Sequence, residues 1–173
     1  TRLLDVSLNA LVALYFATDP GPDPSKHSGG MVTAFAIPPE REKYYDSDSV
    51  SCLSNLANMT SEGKAEIYRL RESLKGDISS AGNIKKFNES DVIIRLHQFI
   101  RSEKPYFQPI IDPIDLFKPY YVHPKMSNRR ILAQSGAFIL YGINPPKKMY
   151  FPNPIDETTF IVPQTHKGGI RLA

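Results

Sequence analysis

The stretch at residues 8–17 constrains the fold most, because it carries a helical pattern between a clear start and a clear stop. Large apolar side chains recur there at i, i+3, i+4, i+7 and i+8: Leu8, Leu11, Val12, Tyr15 and Phe16. Alanines occupy the opposite side, so the pattern predicts a helix that is apolar all round and buried by roughly two-thirds or more. Ser7 is the predicted N-cap. Two prolines at 20 and 22 end the helix, because proline lacks an N–H group.

The remaining pattern favours an α+β fold with a small mixed or split sheet. Three apolar or β-branched runs are predicted to be strands: 31–37, 137–141 and 158–162. Helices are predicted where apolar residues recur with a helical period: 52–59, 62–75 and a third that is capped by Asn88 or Ser90 and ends at Lys104. Polar or proline-rich segments are predicted to be loops or extended chain: 40–51, 77–88 and 106–124. We expect strand 31–37 to be buried on both faces and to share a sheet with 137–141, against which the first helix packs.

Composition limits the class of protein. The chain has 173 residues, enough for one domain with its own core, and a single domain over 1–173 is expected. Its net charge is +3 and its lysines and arginines are scattered, so a nucleic-acid surface is not favoured. The single cysteine, Cys52, fits a reducing compartment, and no apolar run is as long as a membrane span. We therefore expect a cytoplasmic protein without a membrane partner.

Two kinds of site can be weighed from residue types alone. The chain contains no His, Cys, Asp and Glu spacing that resembles a zinc site, so no metal is expected. The histidines at 27, 97, 123 and 166 form no recognisable constellation, and His97 is interpreted as a packed residue beside a helix stripe. Arg2 and Asp5 precede Ser7 and the positive end of the predicted helix, where anions bind favourably. The alternative is that Arg2 and Asp5 pair with each other or cap a neighbouring element.

Two signatures resemble the FRG domain family. The first is Thr1-Arg-Leu-Leu-Asp5 followed by Leu11-Val-Ala-Leu-Tyr-Phe-Ala17. The second consists of Arg130-Ile131, Gln134, Gly136 and Phe138. The resemblance covers most of the chain, with residues 40–120 matching loosely. The Phe-Arg-Gly motif of that family lies upstream of the first signature, so the chain is expected to be incomplete at its N-terminus. The chain is also expected to be incomplete at its C-terminus, because family members usually carry a longer terminal segment.

A more distant resemblance links the first signature to ADP-ribosyltransferases. Asp5-Val6-Ser7, then Ala13 and Phe16-Ala17, has the spacing of their Ser-x-Ser strand and Ala-x-x-Phe-Ala helix, with Asp5 in place of the first serine. The resemblance implies that NAD is the substrate, that Arg2, Asp5 and Ser7 bind it, and that Gln134 occupies the place of the catalytic glutamate. It also implies that the upstream Phe-Arg-Gly arginine grips NAD. An amide carries no negative charge, so a tenfold or larger loss of rate, about 1.4 kcal/mol per factor of ten, is expected.

Two functions of different class follow from these resemblances. The first is an NAD-using ADP-ribosyltransferase or NAD glycohydrolase that acts on a protein or small-molecule acceptor. The alternative is a non-catalytic module of the same fold that binds a nucleotide or a protein. We predict that Arg2 is paired with Asp5 or with a carbonyl of the late motif. We also predict that Ser7 and Gln134 line one cleft.

Overall fold

The protein has a mixed α+β fold, as predicted from its sequence, and its strands form two small sheets. The computed structural model describes residues 2–19, 29–125, 129–144 and 154–167. The strands in this part of the chain are β1 (Arg2–Ser7), β2 (Gly30–Ala36), β3 (Glu42–Tyr44), β4 (Tyr120–His123), β5 (Gly136–Tyr141) and β6 (Asp156–Val162). The helices are α1 (Ala10–Ala17), α2 (Asp48–Asn55), α3 (Ser61–Ser73), α4 (Ala81–Asn88), α5 (Asp91–Glu103) and α6 (Arg129–Ala133).

The larger sheet has four strands in the order β1-β5-β4-β3. β5 pairs antiparallel with both β1 and β4, whereas β3 pairs parallel with β4. β1 and β3 are therefore its edge strands. Alternation along the strands gives this sheet two distinct faces. Val122 and Leu140 lie on the face that packs into the main hydrophobic core, and Phe138 packs against that core from the same face.

The second sheet pairs β2 antiparallel with β6 and is separate from the first. The predicted strands at 31–37 and 158–162 are thus confirmed, but the prediction that 31–37 joins the sheet of 137–141 is wrong. Its expected burial on both faces is also wrong, since Met31 and its partner Ile161 are 67% and 78% exposed. A sheet of two strands has no central strand, so a continuous apolar run does not require cover on both faces here.

A layer of helices forms the core with the inner face of the larger sheet. α3 and α5 match the predicted second and third helices, and their apolar stripes face the core, with Leu70 and Phe99 partly buried. Ile67, Ile93, Leu96 and Ile100 are all fully buried. Of the two candidate N-caps, Asn88 and Ser90, the structure places Ser90 at that position, and the Ser90 side chain makes no capping hydrogen bond. These helices bury one face each, which is why their period was readable from the sequence.

Three segments predicted to lack regular structure contain elements. The segment 77–88 contains α4, whose Phe87 is fully buried in the core. The segment 40–51 contains β3 and the start of α2, and the proline-rich segment 106–124 ends in β4. β3 has three residues and β4 has four, so neither is long enough to show a clear period of two.

The first helix departs most from its prediction. α1 forms and ends at Ala17 as expected, but none of its residues is buried. Leu11, Tyr15 and Phe16 are 74%, 56% and 54% exposed, so the prediction of a mostly buried helix is wrong. Alanine and leucine are strong helix formers, and their propensity favours this helix without burial. The end of α1 touches β2: a Cβ added at Gly30 would lie 2.1 Å from the carbonyl oxygen of Ala17.

Candidate functional site

The residues predicted to bind substrate lie on β1, at the edge of the larger sheet. Asp5 pairs with Phe138 of β5, and Ser7 pairs with Gly136. Because paired residues share a face and side chains alternate, Asp5 and Ser7 lie on the same face as Phe138. Asp5 is exposed and Ser7 is half-buried. The backbone of Arg2 belongs to β1, but its side chain lies outside the described residues, so its pairing stays a prediction.

The Ser7 hydroxyl joins two parts of the chain that are 127 positions apart. Its Oγ donates a hydrogen bond of 2.7 Å to the backbone carbonyl of Gln134. The same Oγ accepts a hydrogen bond of 3.1 Å from the Asn9 N–H and lies 3.3 Å from the Asn9 carbonyl. The structure therefore brings Ser7 and Gln134 together, as the two signatures predict. It does so through the backbone of Gln134, and whether their side chains line one cleft stays a prediction.

The N-cap of α1 is Asn9, so the prediction that Ser7 caps this helix is wrong. The Asn9 side chain accepts a hydrogen bond of 3.0 Å from the Leu11 N–H, in the usual manner of an N-cap. Ser7 is still in β1, two residues before the cap. Its hydroxyl fixes the turn from β1 into α1 instead of satisfying the first helical turn.

The segment carrying Gln134 is a tight turn between α6 and β5. Ser135 has a φ of 47°, a left-handed conformation that is uncommon for residues other than glycine. Its carbonyl accepts a hydrogen bond of 3.0 Å from the Leu8 N–H. The turn is thus held to the β1–α1 connection by two hydrogen bonds, one from Ser7 and one from Leu8. Gln134 itself is half-buried, so part of it remains open to solvent.

Acidic side chains are absent from β5, whose sequence is Gly-Ala-Phe-Ile-Leu-Tyr. A carboxylate acts electrostatically on the far end of this strand. The pKa of Tyr141 is raised by burial and, to a smaller extent, by the negative charge of Glu157 in β6. Glu157 is therefore within electrostatic range of Tyr141, at the opposite end of β5 from Gln134. Glu157 was not among the residues predicted from the sequence, although its position on a late strand was a usable signal.

A second group of side chains lies on the other face of the larger sheet, at the β3 edge. Glu42 and Tyr44 of β3 pair in register with Tyr121 and His123 of β4. The Nε2 atom of His123 is in contact with Oε1 of Glu42, which makes an ion pair when the imidazole is protonated. The Tyr44 ring stacks on the His123 ring with centroids 4.9 Å apart, and Tyr121 meets the same ring edge-on at 5.0 Å. His123 therefore has three side-chain neighbours that no pattern in the sequence indicated.

Two other titratable side chains have packing roles. His97 is 6% exposed and its Nε2 lies 3.2 Å from Oδ1 of Asn88, which agrees with the prediction of a packed histidine. Burial and then the charge of Arg101 lower the pKa of His97. Burial, followed by the charge of Asp115, raises the pKa of Cys52 to about 12. The Cys52 thiol is therefore protonated near neutral pH and is a poor nucleophile.

The described part of the chain contains no group of three or more His, Cys, Asp or Glu side chains placed to hold a metal ion. Within the same residues, no helix is both long and apolar enough to cross a membrane. No protein-family model, no curated protein and no solved structure matches this chain.

Proposed function

We propose that this chain is an FRG-like domain with an ADP-ribosyltransferase-like arrangement that binds NAD beside the β1–α1 turn. One observation carries the proposal: Ser7 and Gln134, from two separate signatures, meet through a hydrogen bond of 2.7 Å. Asp5 lies on the same face as Ser7 and is exposed, so it is available to accept a hydrogen bond from a ribose hydroxyl. The single buried cysteine supports a cytoplasmic location for this activity.

The proposed reaction breaks the bond between the ribose C1′ and the nicotinamide nitrogen. The bonding electrons pass to the pyridinium ring, so nicotinamide leaves as a neutral molecule and positive charge develops on the ribose. An acceptor nucleophile, or water in a glycohydrolase, then forms a bond to C1′ and loses a proton. The Gln134 amide would orient a ribose hydroxyl, and Asp5 and Ser7 would hold the ribose in place. Because Gln134 is neutral, its contribution is positioning more than charge stabilisation.

The second candidate is a nucleotide- or protein-binding module without turnover. The hydrogen bonds that Ser7 already makes to the Gln134 turn and to Asn9 favour this candidate. The Ser7 hydroxyl uses its proton on the Gln134 carbonyl and accepts from Asn9, which leaves it one lone pair for a ligand. No carboxylate lies on β5 to stabilise an oxocarbenium ion. Such a site can select a ligand without accelerating its reaction.

Substitution of Gln134 separates these functions. For the full-length protein, calorimetry with NAD should show saturable binding, and incubation with NAD should release nicotinamide. Gln134→Ala should weaken binding or slow release at least tenfold, which is about 1.4 kcal/mol, while the melting temperature stays nearly unchanged. Gln98→Ala is the matched control, because Gln98 is exposed on α5, away from Ser7 and the Gln134 turn.

Each outcome decides one candidate. Binding that depends on Gln134 without nicotinamide release would favour the binding module. Loss of stability in Gln134→Ala would assign this residue to the core. Protein that neither binds NAD nor releases nicotinamide with any acceptor would refute the NAD proposal.

A further inference from the structure

The aromatic group at the β3 edge combines three features that a packed sheet edge does not require. We call Glu42, Tyr44, Tyr121 and His123 the edge cluster. The first feature is an open aromatic face. Tyr44 is 65% exposed even though one side of its ring is covered by His123 at 4.9 Å. The exposure therefore falls largely on the outer face of the ring, which is free for stacking.

The second feature is a carboxylate with acceptor capacity to spare. Oε1 of Glu42 is in contact with His123, whereas a carboxylate offers about four acceptor positions on its two oxygens. The Glu42 side chain is 48% exposed, so a ligand can reach it from solvent. Glu42 lies two residues from Tyr44 on the same face of β3, a distance of roughly 7 Å along the strand. A fused-ring ligand stacked on Tyr44 can span that distance.

The third feature is an unpartnered hydroxyl. Tyr121 is 6% exposed, and its hydroxyl has no hydrogen-bond partner among the described residues. Burial raises the pKa of Tyr121, and the negative charge of Glu42 raises it further, so the two side chains are within each other's electrostatic range. A buried hydroxyl without a partner is costly and uncommon.

We propose that the edge cluster is a binding site for a planar heteroaromatic ring of the purine class. The ring stacks on the outer face of Tyr44, and its edge N–H groups donate to Glu42. Base stacking on an exposed aromatic side chain is a recurring mode of recognition that needs no deep pocket. The contacts within the cluster argue against a quaternary ammonium ligand, because rings already 4.9 Å and 5.0 Å apart leave no aromatic cage between them.

This site is separate from the proposed NAD site. Ser7 and Asp5 share a face with Phe138, and Phe138 pairs with Val122. His123 follows Val122 and therefore lies on the opposite face of the sheet. A ligand held by Tyr44 does not contact Ser7 or Gln134, and the two proposals can fail independently.

The test uses the 173-residue chain and three nucleosides, guanosine, adenosine and cytidine, in isothermal titration calorimetry. Guanosine should bind most tightly, because it presents two neighbouring N–H donor groups on one edge to the Glu42 carboxylate. Tyr44→Leu should weaken guanosine binding at least tenfold, whereas Tyr44→Phe should retain it. Glu42→Gln should reduce the preference for guanosine over adenosine. Tyr106→Leu is the matched control, since Tyr106 is 95% exposed and makes no part of the cluster.

The remaining outcomes separate this proposal from the NAD proposal and from other ligands. Ser7→Ala and Gln134→Ala should leave guanosine binding unchanged, and a loss of binding in either would assign the nucleoside to the other face. Absence of nucleoside binding, or binding that survives Tyr44→Leu, would overturn the proposal. Tyr44-dependent binding of methylguanidinium without nucleoside binding would also overturn it, in favour of a cationic ligand. If Tyr44→Leu lowers the melting temperature of the protein, the Glu42→Gln variant decides the question. An unchanged preference for guanosine over adenosine in Glu42→Gln would refute the predicted contact between the ring and Glu42.

Discussion

The Asn88 side chain joins α4 to Ile111 and to His97 of α5, and its removal should be strongly destabilising. Its Nδ2 donates to the carbonyls of Ile84 and Ile111 at 2.7 and 2.9 Å. Its Oδ1 accepts from the Ile111 N–H at 2.8 Å and lies 3.2 Å from Nε2 of His97. The two bonds to the Ile111 backbone fix the orientation of the amide. Oδ1 is therefore the acceptor, and Nε2 of His97 carries the proton.

Asn88→Ala would leave three groups without a partner: the N–H and carbonyl of Ile111 and Nε2 of His97. Ile111 is 2% exposed and His97 is 6% exposed, so their polar groups have little access to water that could replace the lost amide. At about 1 kcal/mol or more for each buried unsatisfied group, the unfolding free energy should fall by roughly 3 kcal/mol. The fourth bond, to Ile84 within α4, adds little because that carbonyl already belongs to a helix.

Urea denaturation followed by circular dichroism measures this loss directly. Asn83→Ala is the matched control in the same helix. Its Nδ2 donates to the carbonyls of Lys75 and Asp77, but these hydrogen bonds are exposed to solvent. The control should lose less than about 1 kcal/mol. If both variants lose the same free energy, or Asn88→Ala loses less than about 1 kcal/mol, buried polar satisfaction does not account for the role of Asn88.

Two further predictions concern the histidine and the exposed helix. Because the pKa of His97 is lowered in the folded state, the unfolded chain binds its proton at a higher pH, and stability should fall as the pH drops below about 6.5. In His97→Gln, the unfolding free energy should depend less on pH between 7.5 and 5. An unchanged pH dependence would contradict a lowered pKa of His97 as its cause. Leu11→Ala should change the unfolding free energy by less than about 0.5 kcal/mol, whereas Leu96→Ala should cost about 2–5 kcal/mol. Equal losses for Leu11 and Leu96 would mean that α1 is buried in solution.

The sequence alone determined the elements whose pattern is local and long enough to read. α5 repeats its apolar stripe over thirteen residues after a serine cap, and both its limits and its buried face were predicted. The stop of α1 at Ala17 was predicted for a similar reason, since prolines act on the backbone beside them. The proximity of Ser7 and Gln134 was expected from the family resemblances and not from spacing, and the structure shows it as a hydrogen bond to the Gln134 backbone.

Only the tertiary structure decided which apolar surfaces are covered and which distant side chains meet. Hydrophobic residues predict a helix at α1, but burial also requires a neighbouring layer, and the described chain supplies none over Leu11 or Phe16. β3 and β4 are too short to show a period of two. Their parallel pairing brings Glu42 into contact with His123, which is 81 positions away in the sequence. Such a contact depends on how the whole chain folds back on itself. No local pattern of propensity or charge encodes that path, and so the edge cluster became visible only in three dimensions.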